Sequence, residues 1–466
     1  MKHPTLILIF ITNLICATCS NATAQTTVQL DSTILTVDTI ITGLDVPWEL
    51  LWGPDNHLWL TERNGKISRV NPTNGQRKII LDHSSSVYQF YESGMLGLFL
   101  HPEFASKPFV YVAYTYLNNS TVKERISRFT YSLDSLTNEE VLVENIPGNT
   151  THIGCRFLLL PDQTLIFTTG DARKDQDAQN PALLNGKVMR MKLDGSIPAD
   201  NPIANSYVWS WGLRNTQGLA LGPNNIIYGS EHGPTSDDEL NILEIGRNYG
   251  WPNVEGMCNS APELQFCQDS NVVEPIFTWT PTIAPSDLIY YQHASIPELN
   301  NTLVMTVLKD KRLIAFTLSA DGKGVLSTQN YLTNAFGRIR DICTDGQGTI
   351  FLATNGKDWS NSDPNTHTIL RLRNLDFTSV LKPELEQMVL YPNPSHQPSF
   401  TLSSAAPTKA QLNIYDAQGR LIDQVDQENS TRTLKYQNDK LTAGTYFIQV
   451  HNGVYRQSLR WVVLPY

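Results

Sequence analysis

An all-β protein, a β-propeller followed by a small β-sandwich, is what this sequence predicts, on three observations. Glycine (28) and proline (26) are frequent among the 466 residues, and Asn and Asp recur beside them. That is turn chemistry, and many short strands need it. One unit also recurs: a turn, an apolar strand, then a Gly-containing turn. It reads GPDNHLWLTERNG (53–65), LPDQTLIFTTGD (160–171), GPNNIIYGSEHG (222–233) and TDGQGTIFLATNG (344–356), with looser copies at 101–116 and 299–318. Six such units fit a radial array of four-stranded blades, although spacing alone admits five or seven. Lastly, no amphipathic helical stretch of convincing length competes with the strands.

Taken in order, the elements begin with a secretory signal over residues 1–24. Lys2 and His3 form a basic start, Leu6 to Ile15 an apolar core, and Ala22-Thr23-Ala24 a cleavage site. The apolar run is too short for a membrane span, so none is expected in the mature chain. The repeats occupy residues 26–378, where loops from every unit converge on a central tunnel. Residues 379–388 have the composition of a linker. From Val389 the texture changes to LYPNPS, QLNIYDAQGRLI, TLKY and GTYFIQVHNG, which reads as a small antiparallel sandwich over 389–466. Four cysteines remain after the signal. Cys258 and Cys267 close a short loop and are the best disulfide pair, while Cys155 and Cys343 either pair or stay as buried thiols. A net charge of −10 excludes a nucleic-acid partner, which would need a basic surface.

Three segments place polar residues among strands. THIGCRF (151–157), followed by TTGD (168–171), offers a His for proton abstraction and a carboxylate to orient it. WGLRNTQG (211–218) leads into SEHGPTSDDELN (230–241) and NYGWP (248–252). Asp238 and Glu239 there suit a hard cation such as calcium, held by carboxylates and carbonyls on bendable loops. In FGRIRD (336–341), Arg338 and Arg340 are two residues apart, so on a strand they point the same way. Two such guanidinium groups, with Lys309 as a third cation, attract a polycarboxylate.

In this order the segments resemble the soluble PQQ-dependent sugar dehydrogenases, including the aldose branch, over about residues 40–375. GLDVPWEL (43–50), LTERNGKI (60–67), ESGMLGLFLHPEF (92–104) and KVMRMKLDGSIPADNP (187–202) resemble that family too. The resemblance implies six blades and oxidation of an aldose or related alcohol to a lactone. It implies His152 as base, Asp171 as its support, and Arg214 and Asn215 as cofactor contacts, with Arg214 near the reacting carbonyl. It adds Glu92, Thr282, Lys309, Arg338 and Arg340 as further PQQ contacts. Calcium under PQQ falls to the carbonyls of Gly233 and Pro234, and a structural calcium to Asp238, Glu239 and the Tyr249 carbonyl. The chain departs from the family at Gly154-Cys155, where Gly-Gly is usual, at Thr151, and at His232, where the glucose-oxidising branch has Gln. No CxxCH haem motif is present, so electrons are expected to leave to a separate acceptor. The C-terminal motifs resemble the sorting domain of type IX secretion substrates. That implies the type IX machinery as a partner and a secreted or cell-surface protein. Two further readings are a calcium-dependent propeller lactonase, which needs a carboxylate metal cage at the tunnel centre, and a non-catalytic binding propeller.

Overall fold

The structure, a computed structural model, describes residues 26–356, 367–377, 389–451 and 456–465. The expected signal and linker lie outside the described residues. Two compact units divide between Leu375 and Asp376.

In the first unit the described residues form six antiparallel sheets, each laid down in chain order. They span residues 47–82, 95–147, 154–211, 216–279, 285–331 and 338–373, and are numbered sheets 1 to 6 here. The sixth is completed by an early segment, since Ile34–Ile41 pairs with His367–Arg373 and Thr27–Gln29 adds outside it. The first strand of each sheet packs against the first strand of the next, and Arg338–Thr344 packs against Pro47–Trp52. Burial follows this order. Thr164–Thr169, the second strand of sheet 3, is buried throughout, whereas the last strand of sheet 5, Val325–Tyr331, is mostly exposed. Facing sheets bury large side chains between them: Trp59 with Val112 and Tyr114, Tyr111 with Phe167 and Met189, Tyr228 with Phe316. At Gly218 the approach is close; a Cβ there would lie 2.2 Å from the Ser286 carbonyl oxygen, so a larger residue would force sheets 4 and 5 apart.

The first strands also carry an ion cluster. Arg156 of sheet 3 reaches Glu49 of sheet 1 at 2.7 Å, Asp287 of sheet 5 at 3.2 Å and Asp341 of sheet 6 at 2.9 Å. Its Nε also donates to the Gln217 carbonyl of sheet 4 at 3.0 Å. All four charged groups are buried. Burial holds the Glu49 and Asp287 carboxyls above the usual range, with the Arg156 charge pulling the other way.

One helix departs from the sequence expectation. Ala261–Ser270 is α-helical, but none of its residues is buried, so it has no apolar period to read. A capping box starts it: Ser260 Oγ accepts from the Glu263 N–H, and the Glu263 carboxylate accepts from the Ser260 N–H. The Cys258–Cys267 disulfide ties it down. Cys155 and Cys343 are buried free thiols on the first strands of sheets 3 and 6, which are not neighbours. Cys155 donates instead to Glu124 Oε1 at 2.6 Å.

The second unit holds five strands: Val389–Tyr391, Ser399–Tyr415, Leu421–Gln437, Gly444–His451 and Arg456–Val463. They make one hydrogen-bonded sheet rather than two separate ones. The two long strands shift register between Ser403 and Ala410. Residues before and after the shift, Phe400 and Ile414, enter one core around Trp461, which meets Phe400 edge-on at 4.9 Å.

Candidate active site

His152 sits just before the first strand of sheet 3, in the left-handed region at φ 60°. Its backbone N–H donates to Glu92 Oε2 at 2.6 Å, and its Nδ1 lies 2.8 Å from Asp171 Oδ1. Asp171 is fully buried. Its carboxylate also accepts from the Arg173 N–H at 2.7 Å and from Trp251 Nε1–H at 2.9 Å. Every other partner of this carboxylate is a donor, so it acts as the acceptor, and the imidazole proton belongs on Nδ1. That tautomer leaves the Nε2 lone pair available as a base.

Trp251 had no role in the sequence reading beyond its place in NYGWP. It comes from a loop 80 residues beyond Asp171, is pinned by Gln179 Nε2 donating to its carbonyl at 2.6 Å, and lies with its ring centroid 5.4 Å from the Arg214 guanidinium. It therefore positions both Asp171 and Arg214. Trp251→Phe keeps an aromatic ring and removes the N–H. We expect turnover at this site to fall about tenfold, with the thermal midpoint little changed, in steady-state and melting assays.

Arg214 and Asn215 are held by Glu231. Its carboxylate accepts from the N–H groups of both and from the Thr216 hydroxyl. Burial pushes this carboxyl up to about 7. Arg214 Nη1 donates to the His232 carbonyl at 3.1 Å, and Asn215 Oδ1 accepts from the Gly154 N–H at 3.1 Å. Gln217, a second residue the sequence reading passed over, links Asn215 Oδ1 at 3.1 Å to Arg340 Nη1 at 3.0 Å. The His232 ring turns to the Pro285 carbonyl at 2.6 Å, and burial pushes it down to about 4, so it is neutral.

Of the three cationic residues, Arg338 and Arg340 lie close enough for their charges to interact. Arg340 is buried, its Nε has no hydrogen-bond partner, and it forms no ion pair among the described residues. Burial first, and the nearby Arg338 charge second, push its guanidinium down to about 9. Lys309 is exposed and donates to the carbonyl and hydroxyl of Thr282 at 2.7 and 3.0 Å. Trp48, Arg63, Tyr91, Glu92, Gly154 and Arg340 border one cavity here.

Asp238 and Glu239 are successive residues of the strand Asp238–Leu243, so their side chains leave opposite faces. The Asp238 carboxylate is taken up by the N–H groups of Gly233 (2.8 Å), Ile283 (2.6 Å) and Ala284 (2.7 Å). It therefore pins the Gly233–Pro234 loop. Glu239 faces a different cavity, shared with Asp237, Tyr249 and Glu255. Burial first, then the Glu231 and Asp237 charges, push its carboxyl up to about 8. Among the described residues no three acidic, His or Cys side chains form a ready metal cage.

Against known proteins, residues 44–361 match the Glucose / Sorbosone dehydrogenase family model. The chain belongs to the glucose/sorbosone dehydrogenase family. This dehydrogenase is 41% identical over 249 residues to quinoprotein glucose dehydrogenase B of Acinetobacter calcoaceticus, covering 47% of this chain and 52% of that protein. It therefore spans about half the length of that relative. With the aldose sugar dehydrogenase YliI of Escherichia coli it shares 29% identity over 362 residues, covering 74% of this chain and 95% of that one. The PQQ-bound aldose sugar dehydrogenase of Streptomyces coelicolor superposes with a TM-score of 0.64 at 28% identity, over 73% of this chain and 98% of the other. In fold, then, the dehydrogenase is all-β and similar to these enzymes. Residues 389–464 match a secretion system C-terminal sorting domain of the type IX kind, so this family member is secreted to the cell surface or beyond. Among the described residues no helix is long and apolar enough to cross a membrane.

Proposed function

We propose that this dehydrogenase oxidises the anomeric carbon of an aldose, or a related alcohol, to the lactone, using PQQ and calcium, with His152 as general base. The observation that carries the reading is the His152–Asp171 pair, whose bonding leaves Nε2 as the open acceptor. The six sheets, with first strands packed in sequence and the last against the first, support a six-bladed propeller over residues 26–378. The matched sorting domain supports the boundaries of a linker at 379–388 and a delivery domain at 389–466.

PQQ fits the donor set on chemical grounds. A buried guanidinium with an unpartnered Nε and no carboxylate is costly unless an anion completes it. Arg338, Arg340 and Lys309 would hold the carboxylates of PQQ, with Glu92, Thr282 and Asn215 as polar contacts and Arg214 beside the quinone. Gly233 and Pro234 carbonyls would face calcium, and a Cβ at Gly233 would lie 1.9 Å from the Ser236 carbonyl, so only glycine permits this tight loop. Glu239 and the Tyr249 carbonyl would hold a second calcium, without Asp238. When bound, PQQ supplies the quinone that takes up the sugar's hydride and calcium the Lewis acid that polarises it. The chain's own part is acid–base and positional. His152 Nε2 accepts the anomeric hydroxyl proton, and Asp171 stabilises the resulting imidazolium through Nδ1–H. The electrons then pass to a separate acceptor.

The lactonase reading is disfavoured by Arg156. Three carboxylates of the first strands converge, but on a guanidinium, where a lactonase needs a metal. A non-catalytic propeller has no use for an oriented His–Asp pair. Titrating the purified protein with PQQ in the presence of calcium, followed optically, tests the proposal. We expect saturable micromolar binding and sugar-dependent dye reduction; absence of PQQ binding at that concentration would overturn it.

A further inference from the structure

We infer that Tyr91, buttressed by Phe90, is a stacking platform that receives the C–H face of a pyranose ring at the mouth of the His152 site. This deepens the proposed aldose dehydrogenase function and rests on it.

Phe90 and Tyr91 are 52% and 56% exposed. Single exposed aromatics are common on proteins, so exposure alone decides nothing. What sets this pair apart is that it is rigid and joined to the site. The two rings meet edge-to-face at 4.4 Å. Tyr91 is held at φ 51°, a strained conformation for a bulky residue that the loop must over-determine. Arg63 Nη1 donates to the Tyr91 carbonyl at 2.8 Å. Phe90 and Ser93 exchange backbone hydrogen bonds at 3.2 and 3.0 Å, and the Ser93 hydroxyl donates to the Asn149 carbonyl.

The next residue joins this loop to the base. Glu92 accepts from the His152 N–H at 2.6 Å, and its own N–H donates to the Thr150 carbonyl at 2.9 Å. Tyr91 also borders the cavity shared by Glu92, Gly154 and Arg340. The platform and the catalytic loop are thus bonded from both sides. A pyranose carries a face of C–H groups, and the negative π-face of an aromatic ring attracts them while excluding water. Tyrosine loses little conformational entropy in doing so.

The test uses the full protein loaded with PQQ and calcium, with D-glucose and cellobiose as probes, in wild type, Tyr91→Ala and Tyr91→Phe. For Tyr91→Ala we expect KM to rise about tenfold, with kcat within about twofold and PQQ titration unchanged. Tyr91→Phe keeps the ring and behaves as wild type. Saturation-transfer NMR on the unloaded protein gives a second readout, in which Tyr91→Ala loses signal from the sugar C–H protons. An unchanged KM and unchanged transfer in Tyr91→Ala, or a Tyr91→Phe as impaired as Tyr91→Ala, overturns the platform. Were the wild type to oxidise neither probe sugar, the proposed function would be decided by the PQQ titration and the platform by the NMR comparison alone.

Discussion

His152→Ala is expected to lower kcat for sugar oxidation by about 10²–10⁴-fold while PQQ still binds, because that is the usual share of a positioned general base. The side chain makes its hydrogen bond to Asp171 and presents Nε2 to the site. The proposed PQQ contacts Arg338, Arg340 and Lys309 belong to other strands and loops, and Arg340 is held by Gln217. Binding and turnover should therefore separate in this variant. Single-turnover kinetics beside an optical PQQ titration checks the point. A variant with wild-type turnover would remove the base from His152; one that lost PQQ binding as well would show that the residue supports the fold of the site.

Arg156→Met is expected to lower unfolding free energy by about 3–5 kcal/mol, since removing one partner of a buried ion cluster leaves the others uncompensated. Here Glu49, Asp287 and Asp341 would face each other across the first strands with no cation. The loss should depend on pH with a definite sign. Burial already raises the folded pKa of two of them, Glu49 and Asp287, in the wild type. Such groups bind more protons folded than unfolded, so their contribution falls as pH rises past the unfolded carboxylate range. The urea midpoint of Arg156→Met should thus be closer to wild type at pH 5 than at pH 8. Equal losses at both values would mean that packing against Trp48, 4.5 Å from the guanidinium, dominates.

Local signals were readable wherever they were dense. Turn residues beside apolar runs marked the strands, and the nine-residue separation of Cys258 and Cys267 marked their disulfide. The helix Ala261–Ser270 escaped because it buries nothing and so carries no period, although Ser260 and Glu263 spell its capping box. Glu231 and Gln217 stood inside segments already singled out, yet nothing in their spacing distinguishes a carboxylate that grips three donors from a solvated one.

By itself the sequence determined the strand-rich character, the family and the sorting domain, because turn propensity, alternation and motif order are short-range properties. Only the tertiary structure decided which residues meet. It turned Asp238 away from Glu239, because neighbours on a strand face opposite sides. It brought Trp251 across 80 positions to Asp171. It also closed four strands on Arg156, because a buried charge must find its partners wherever the packing of the sheets places them.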